Sequence, residues 1–399
     1  MEFQPSRASV LHRYIKQLLA GGQFAGVSWC LELRDSIVDQ GVAGFQDVDA
    51  AVPITEETLF RLYSMTKPVV SVHCLQLIEA GLLQLDDPVS RWIPEFGQLQ
   101  VLGVDGRLEP CARAMHIEDL LTHRSGLSYD FLPDCAIADE YRAARLAADG
   151  SRSLQDLATT LASIPLAFQP GSRWYYSYAT DVLASIIERV SDQPLSDCLQ
   201  NALFDPLGMS DTGFQVQKSD AIRLAKMYGQ RDLGEVANSQ LLAQAGCNEL
   251  RPMNVEESYP ASDQRFSRGG IGLFSTIADY RRFMSLLMDG KAPSGEMLLS
   301  RPMLDLSWTN RLERAQIPIA IGEVAYPGYG WGLTGRVMAD PSTAMRLSAR
   351  GEGGWSGAAS THFWVDRANR FSGIVMTQYL GSEHSLGADV QALAYAALG

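Results

Sequence analysis

The sequence predicts an α/β fold of the α+β kind, with a mostly helical lobe inserted into a strand-containing domain. Three observations predict it. Alternating, strand-prone segments stand near both ends of the chain, within residues 25–44 and 330–378. Between about 81 and 255 the apolar residues recur at helical spacing, and no run of adjacent strands is evident. Helical patterns also flank the strands at both termini, as a layered domain requires.

Taken in order, residues 8–20 place Val10, Leu11, Tyr14, Ile15, Leu18 and Leu19 on one helical face and stop at Gly21-Gly22. Residues 25–33 and 36–44 read as two strands joined by a short turn. A helix follows Ser64 and ends near Ala80-Gly81. Residues 82–126 read as loops and short helices, including 117–121. Segments 136–148, 154–164, 179–191 and 194–203 are helical by period and alanine content. Gly269 to Thr276 opens a helix over 276–289. Segments 330–335, 344–350, 358–366 and 370–378 alternate as strands, and 384–398 forms a closing helix. The expected division is therefore 1–80 with 256–399 as the α/β domain, and 81–255 as the inserted helical domain.

Composition excludes several classes of function. Of 399 residues, 46% are hydrophobic and 20% charged, an ordinary globular balance. The net charge of −13 disfavours nucleic acid or an anionic membrane as a partner. No apolar run reaches 18 residues, so no transmembrane helix is expected. The N-terminus lacks a basic region followed by an apolar stretch, which predicts a cytoplasmic protein. Cys30, Cys74, Cys111, Cys135, Cys198 and Cys247 are scattered and read as free thiols. The six histidines show no metal-ligand spacing, so no metal and no cofactor are expected. No feature specifies an oligomeric state.

Ser64-Met65-Thr66-Lys67 carries the most chemistry. An apolar run gives way to Ser64 at a helix start, and residues three apart on a helix share a face. A hydroxyl nucleophile is thereby set beside an amine that can serve as its base once deprotonated. The 35 serines and five lysines predict about half a chance match, so the tetrapeptide needs support. Otherwise Ser64 is an N-cap and Lys67 a first-turn lysine, disfavoured there by the positive helix end.

Two further stretches supply support. Trp174-Tyr175-Tyr176-Ser177-Tyr178 packs four aromatic residues just before a helix. Such tyrosines can be core, but beside a serine–lysine pair a phenol can move a proton. Glu352-Gly353-Gly354-Trp355-Ser356-Gly357-Ala358-Ala359 is glycine-rich ahead of a strand. It reads as a tight turn, or as an edge offering an N–H to a developing oxyanion. The same stretch nearly fits the nucleophile elbow Gly-x-Ser-x-Gly around Ser356. Only 43 residues follow Ser356, and Asp366 and His384 would have to complete a triad there, so that reading fails on order.

Together these stretches resemble the penicillin-recognising serine hydrolases: class C β-lactamases, DD-peptidases and, nearest, the family VIII carboxylesterases. Asp86-Asp87-Pro88-Val89, Leu120 to Leu127, Phe204 to Met209 and Ser267-Arg268-Gly269-Gly270 also fit. The resemblance implies an antiparallel sheet flanked by helices, with Ser64 as the acylated nucleophile, Lys67 as its partner and Tyr176 as the motif tyrosine. It implies an oxyanion hole from the backbone N–H groups of Ser64 and Ala358. Trp355, Ser356 and Gly357 match the third motif, and Tyr178 stands where the lactamases carry Asn. The third-motif lysine is replaced by Trp355, and an aromatic wall there favours apolar ester groups. Tyr175 and Tyr178 compete with Tyr176 for the tyrosine role.

The function expected is cleavage of small-molecule carboxylic esters of short or medium acyl chain through an acyl-serine. The rivals are an acyltransferase to a small-molecule alcohol, a β-lactamase or DD-peptidase, and a non-catalytic binding protein on the same fold.

Overall fold

The computed structural model describes residues 2–132, 135–146, 151–229, 250–256, 260–382 and 384–399. Cys247 and the end of the helical segment 136–148 lie outside the described residues. Eight strands form the main sheet: β1 (Gly26–Leu33), β2 (Ser36–Asp47), β3 (Val52–Pro53), β4 (Tyr329–Trp331), β5 (Arg336–Met338), β6 (Gly353–Gly357), β7 (Thr361–Asp366) and β8 (Phe371–Met376). Their order is β4-β5-β6-β7-β8-β1-β2-β3, and every neighbouring pair is antiparallel. The N-terminal hairpin thus joins the C-terminal strands through β1 and β8, with Ser28 opposite Met376 and Leu33 opposite Phe371.

Seven helices position the sheet and the site: α1 (Pro5–Ala20), α2 (Thr66–Glu79), α3 (Ile117–Leu121), α4 (Leu154–Ala162), α5 (Ala179–Ser191), α6 (Ile277–Asp289) and α7 (Leu386–Ala396). Helices α1 and α7 cover one face. Leu11, Ile15, Leu18, Leu386, Val390 and Ala394 pack there against Val27, Trp364 and Val375. Helix α6 covers the other face, in a core that also holds α2 and the lobe helices with Phe363, Val365 and Ile374. All eight residues of β1 are buried because both of its faces are covered. Helix α2 has apolar and polar residues buried all round, including Lys67, Ser71 and His73. It is a central helix rather than an amphipathic surface one.

Two differences from the sequence expectation have physical causes. Residues 344–350 form no strand, and Met345 and Leu347 are exposed. Both neighbours of β5 are already taken, by β4 and β6, so the alternating segment finds no free ladder. Conversely, 353–357 is a strand although three of its five residues are glycine, which lowers strand propensity. The glycines are required by packing. A Cβ on Gly353 would lie 2.1 Å from the Trp308 ring, and one on Gly354 would lie 2.2 Å from the Phe363 carbonyl oxygen. The 330–335 segment is the turn region of a short hairpin, with Tyr329 opposite Met338.

Candidate active site

Ser64 sits in a single 3-10 turn, Tyr63–Met65, that runs directly into α2. Tyr63 before it is buried and adopts φ +46°. That region is uncommon for a bulky residue, and the surrounding packing imposes it. The turn sets the Ser64 hydroxyl toward Lys67, whose Nζ lies 3.1 Å from Ser64 Oγ. Lys67 is 2% exposed and also donates to the Gly270 carbonyl at 2.9 Å. Its ammonium has no ion-pair partner among the described residues, and it stands 4.6 Å over the Tyr176 ring and 5.3 Å over the Tyr129 ring. Burial brings the Lys67 pKa down from 10.5 to about 7, opposed by the charge of Asp181. The amine is therefore largely neutral above neutral pH, the state a base needs.

Tyr176 is fixed by the backbone on both sides. Tyr175 N donates to the His123 carbonyl at 2.9 Å and Tyr178 N to the Ser128 carbonyl at 3.2 Å. The Tyr176 ring packs against His123, Tyr129 and Trp355. Burial raises its pKa, and hydrogen bonds with Ser64 and Trp355 oppose that rise. It is therefore a neutral phenol at rest, held where it meets the Ser64 hydroxyl.

The third stretch closes the site from the sheet. Trp355 points to the α6 side, 2% exposed, and its Nε1 donates to the Tyr176 hydroxyl at 3.1 Å. Trp331 and Tyr326 extend the aromatic surface at ring separations of 4.5 and 6.1 Å. At the end of β6, a Cβ on Gly357 would lie 2.2 Å from the Leu62 carbonyl oxygen. Thr361 Oγ1 also donates to that oxygen, at 3.4 Å. The strand end is thus pressed against the residues just before Ser64. The N–H groups of Ser64 and Ala358 make no backbone or side-chain hydrogen bond to the described residues, leaving two donors open at this junction.

The structure separates the sequence candidates by position. Ser64, Lys67, Tyr176 and Trp355 meet in one cluster. Tyr178 is 3% exposed, donates to Asp130 at 2.9 Å, and packs at a tilt against Tyr129 at 4.4 Å, behind the cluster. Tyr175 turns away toward Phe168 and Arg173. Ser356 is opposite His362 in the ladder and so shares its face, the one carrying α7.

Two groups were not singled out from the sequence. Tyr129 lies beside Lys67, with its buried hydroxyl unpartnered among the described residues. Asp181, 2% exposed on α5, accepts from Gly270 N at 3.2 Å and faces Arg268 at 3.5 Å. It therefore holds Gly270, the residue whose carbonyl accepts from Lys67. A signal for it existed: one carboxylate within residues 179–187 of a helix, a stretch that is buried throughout.

The beta-lactamase family model matches residues 11–398. The chain belongs to the beta-lactamase family. It is 31% identical to esterase EstB of Burkholderia gladioli over 93% of this chain and 90% of that one. It is 28% identical to acyltransferase calJ of Penicillium decumbens over 87% and 82%. Among solved structures, EstCE1, a hydrolase with promiscuous acyltransferase activity, superposes with a TM-score of 0.82. That match covers 98% of this chain and 99% of that one, at 24% identity. This beta-lactamase-family chain has no helix among its described residues long and apolar enough to cross a membrane.

Proposed function

We propose that this chain is a serine carboxylesterase that cleaves esters of short or medium acyl chain through an acyl-Ser64 intermediate. The observation that carries the reading is the 3.1 Å contact between Ser64 Oγ and a buried Lys67 whose pKa lies at about 7. Lys67 takes the Ser64 proton as Oγ attacks the ester carbonyl. Tyr176, a neutral phenol bonded on both sides, relays that proton from Lys67 to the leaving alcohol, so that both groups return to their resting forms, and then helps activate water. The N–H groups of Ser64 and Ala358 stabilise the tetrahedral oxyanion, a contribution commonly of about 3–4 kcal/mol per donor. Trp355 and Gly357 belong to the substrate side in this reading, with Trp355 as an apolar wall, whereas Tyr178 lies behind the cluster and Ser356 faces α7. No cofactor is needed for these steps.

Similarity to EstB supports an ester over a lactam. So does Trp355 at the place where the resemblance puts a lysine. Similarity to calJ favours one second reading, transfer of the same acyl group to a small-molecule alcohol. The test is turnover on p-nitrophenyl esters of two to twelve acyl carbons, with nitrocefin and an added alcohol in parallel. Fast turnover of the shorter esters, with nitrocefin far slower, supports the proposal. Nitrocefin turnover at a matching rate contradicts it, and preferential transfer to alcohol assigns the second reading.

A further inference from the structure

Behind the third stretch, on the sheet face opposite Trp355, lies a cavity of about 350 Å³. It is bounded by β5, the end of β6, the 324–329 and 344–347 segments and the start of α7. Its floor is polar and buried: Arg336 is 4% exposed, with His362 and Gln391 also buried. One amine of the Arg336 guanidinium meets only neutral acceptors, His362 Nε2 at 3.2 Å and Gln391 Oε1 at 3.3 Å. Its Nε has no hydrogen-bond partner among the described residues. No carboxylate of the described residues lies within 4.0 Å of Arg336 to pair with it.

A guanidinium buried without an ion-paired carboxylate is costly, and its fork geometry matches a carboxylate. Nearby groups compensate only in part: Glu352 feels the Arg336 charge but makes no ion pair with it. His362 is kept neutral by burial and by Arg336 itself, with a pKa near 3. Glu352, bonded instead by the Tyr329 hydroxyl at 2.9 Å, has its pKa pushed up to about 7 by burial. The Tyr329 ring stacks on the guanidinium at 4.6 Å and holds it in place. The first turn of α7, eleven residues long and without a side-chain cap, lines the same cavity and adds its positive end. The rim is mixed: Val324, Met345 and Leu347 are exposed apolar residues, beside Arg346, which is paired with Asp389 at 3.0 Å.

We infer that this cavity is a binding site for the carboxylate of an amphipathic organic acid, its head on Arg336 and its chain against Val324, Met345 and Leu347. The site adjoins the Ser64 cluster, since Tyr326 and Gly357 border both, but its binding does not depend on the esterase reading.

The test is calorimetric titration of the full chain with octanoate and with octanol. The expected result is one octanoate bound per chain, with octanol at least tenfold weaker. Arg336→Gln should weaken octanoate at least tenfold, and Arg336→Lys should do so less. Met345→Glu, at an 80% exposed rim position that cannot disturb the core, should also weaken octanoate severalfold, and more than it weakens octanol, because it adds charge repulsion to the lost apolar contact. Met345→Glu keeps the test decisive if the Arg336 variants fail to fold. Equal affinity for octanoate and octanol overturns the inference. So does octanoate binding that Met345→Glu leaves unchanged, or the absence of binding.

Discussion

Trp355 Nε1 donates a hydrogen bond to the Tyr176 hydroxyl at 3.1 Å, tying the third stretch to the motif tyrosine. The indole is thus more than an apolar wall. It supports negative charge on the phenol oxygen at the moment a proton leaves it, against the burial that keeps that oxygen protonated. Trp355→Phe keeps most of the ring and removes the donor. Hydrogen bonds to charged groups contribute about 1.5–3 kcal/mol, so kcat should fall about tenfold or more. KM should change little. A large rise in KM with kcat unchanged would instead make Trp355 a binding wall only.

Lys67 sets the acid limb of activity. Its pKa of about 7 means that kcat/KM should fall by one proton's slope as pH drops below neutrality. The same shift is a stability statement. Between about pH 7 and 10.5 the unfolded chain holds a proton on Lys67 that the folded chain has released, so wild-type stability rises with pH across that window. Below about 7 both states hold the proton and the dependence flattens. Lys67→Met should abolish turnover. Its stability advantage over wild type should grow by a few kcal/mol as pH falls from 10.5 to 7, read from urea midpoints.

Asp181 acts on Lys67 through the Gly270 peptide and through its charge. Asp181→Asn removes a charge that raises the Lys67 pKa, so the acid limb should move to lower pH. It also leaves buried Arg268 without this counter-charge, which should cost about 3–5 kcal/mol of stability. A loss of stability with an unmoved acid limb would limit Asp181 to a structural role.

The close approach of β6 to Leu62 tolerates no side chain at Gly357. Gly357→Ala drives a Cβ against backbone that cannot swing aside, pushing the Ala358 N–H away from Ser64. Turnover should fall about 100-fold, the scale of a lost oxyanion donor, while Lys67 keeps its acid limb. Unchanged kcat on p-nitrophenyl butyrate would remove Ala358 from the oxyanion role.

Much of this was legible in the residues themselves. The periods of α1, α2, α5, α6 and α7 were readable because each helix carries long apolar recurrences. The grouping of Ser64 with Lys67 followed from helical geometry alone. Strand β6 was not readable, because its glycines answer to Trp308 and Phe363, residues distant in sequence. Residues 344–350 alternate but find no free ladder, which only the order of the sheet reveals. The Trp355–Tyr176 bond and the Asp181–Gly270–Lys67 chain each join segments far apart in sequence. No local pattern encodes those pairings.

The most direct test of the central claim is intact-mass and digested-peptide mass measurement of the chain after rapid quenching with p-nitrophenyl butyrate, alongside Ser64→Ala. An adduct of one butyryl group on the peptide containing Ser64, absent from Ser64→Ala together with turnover, is the predicted result. Turnover retained by Ser64→Ala, or a butyryl group carried on another residue, would contradict it.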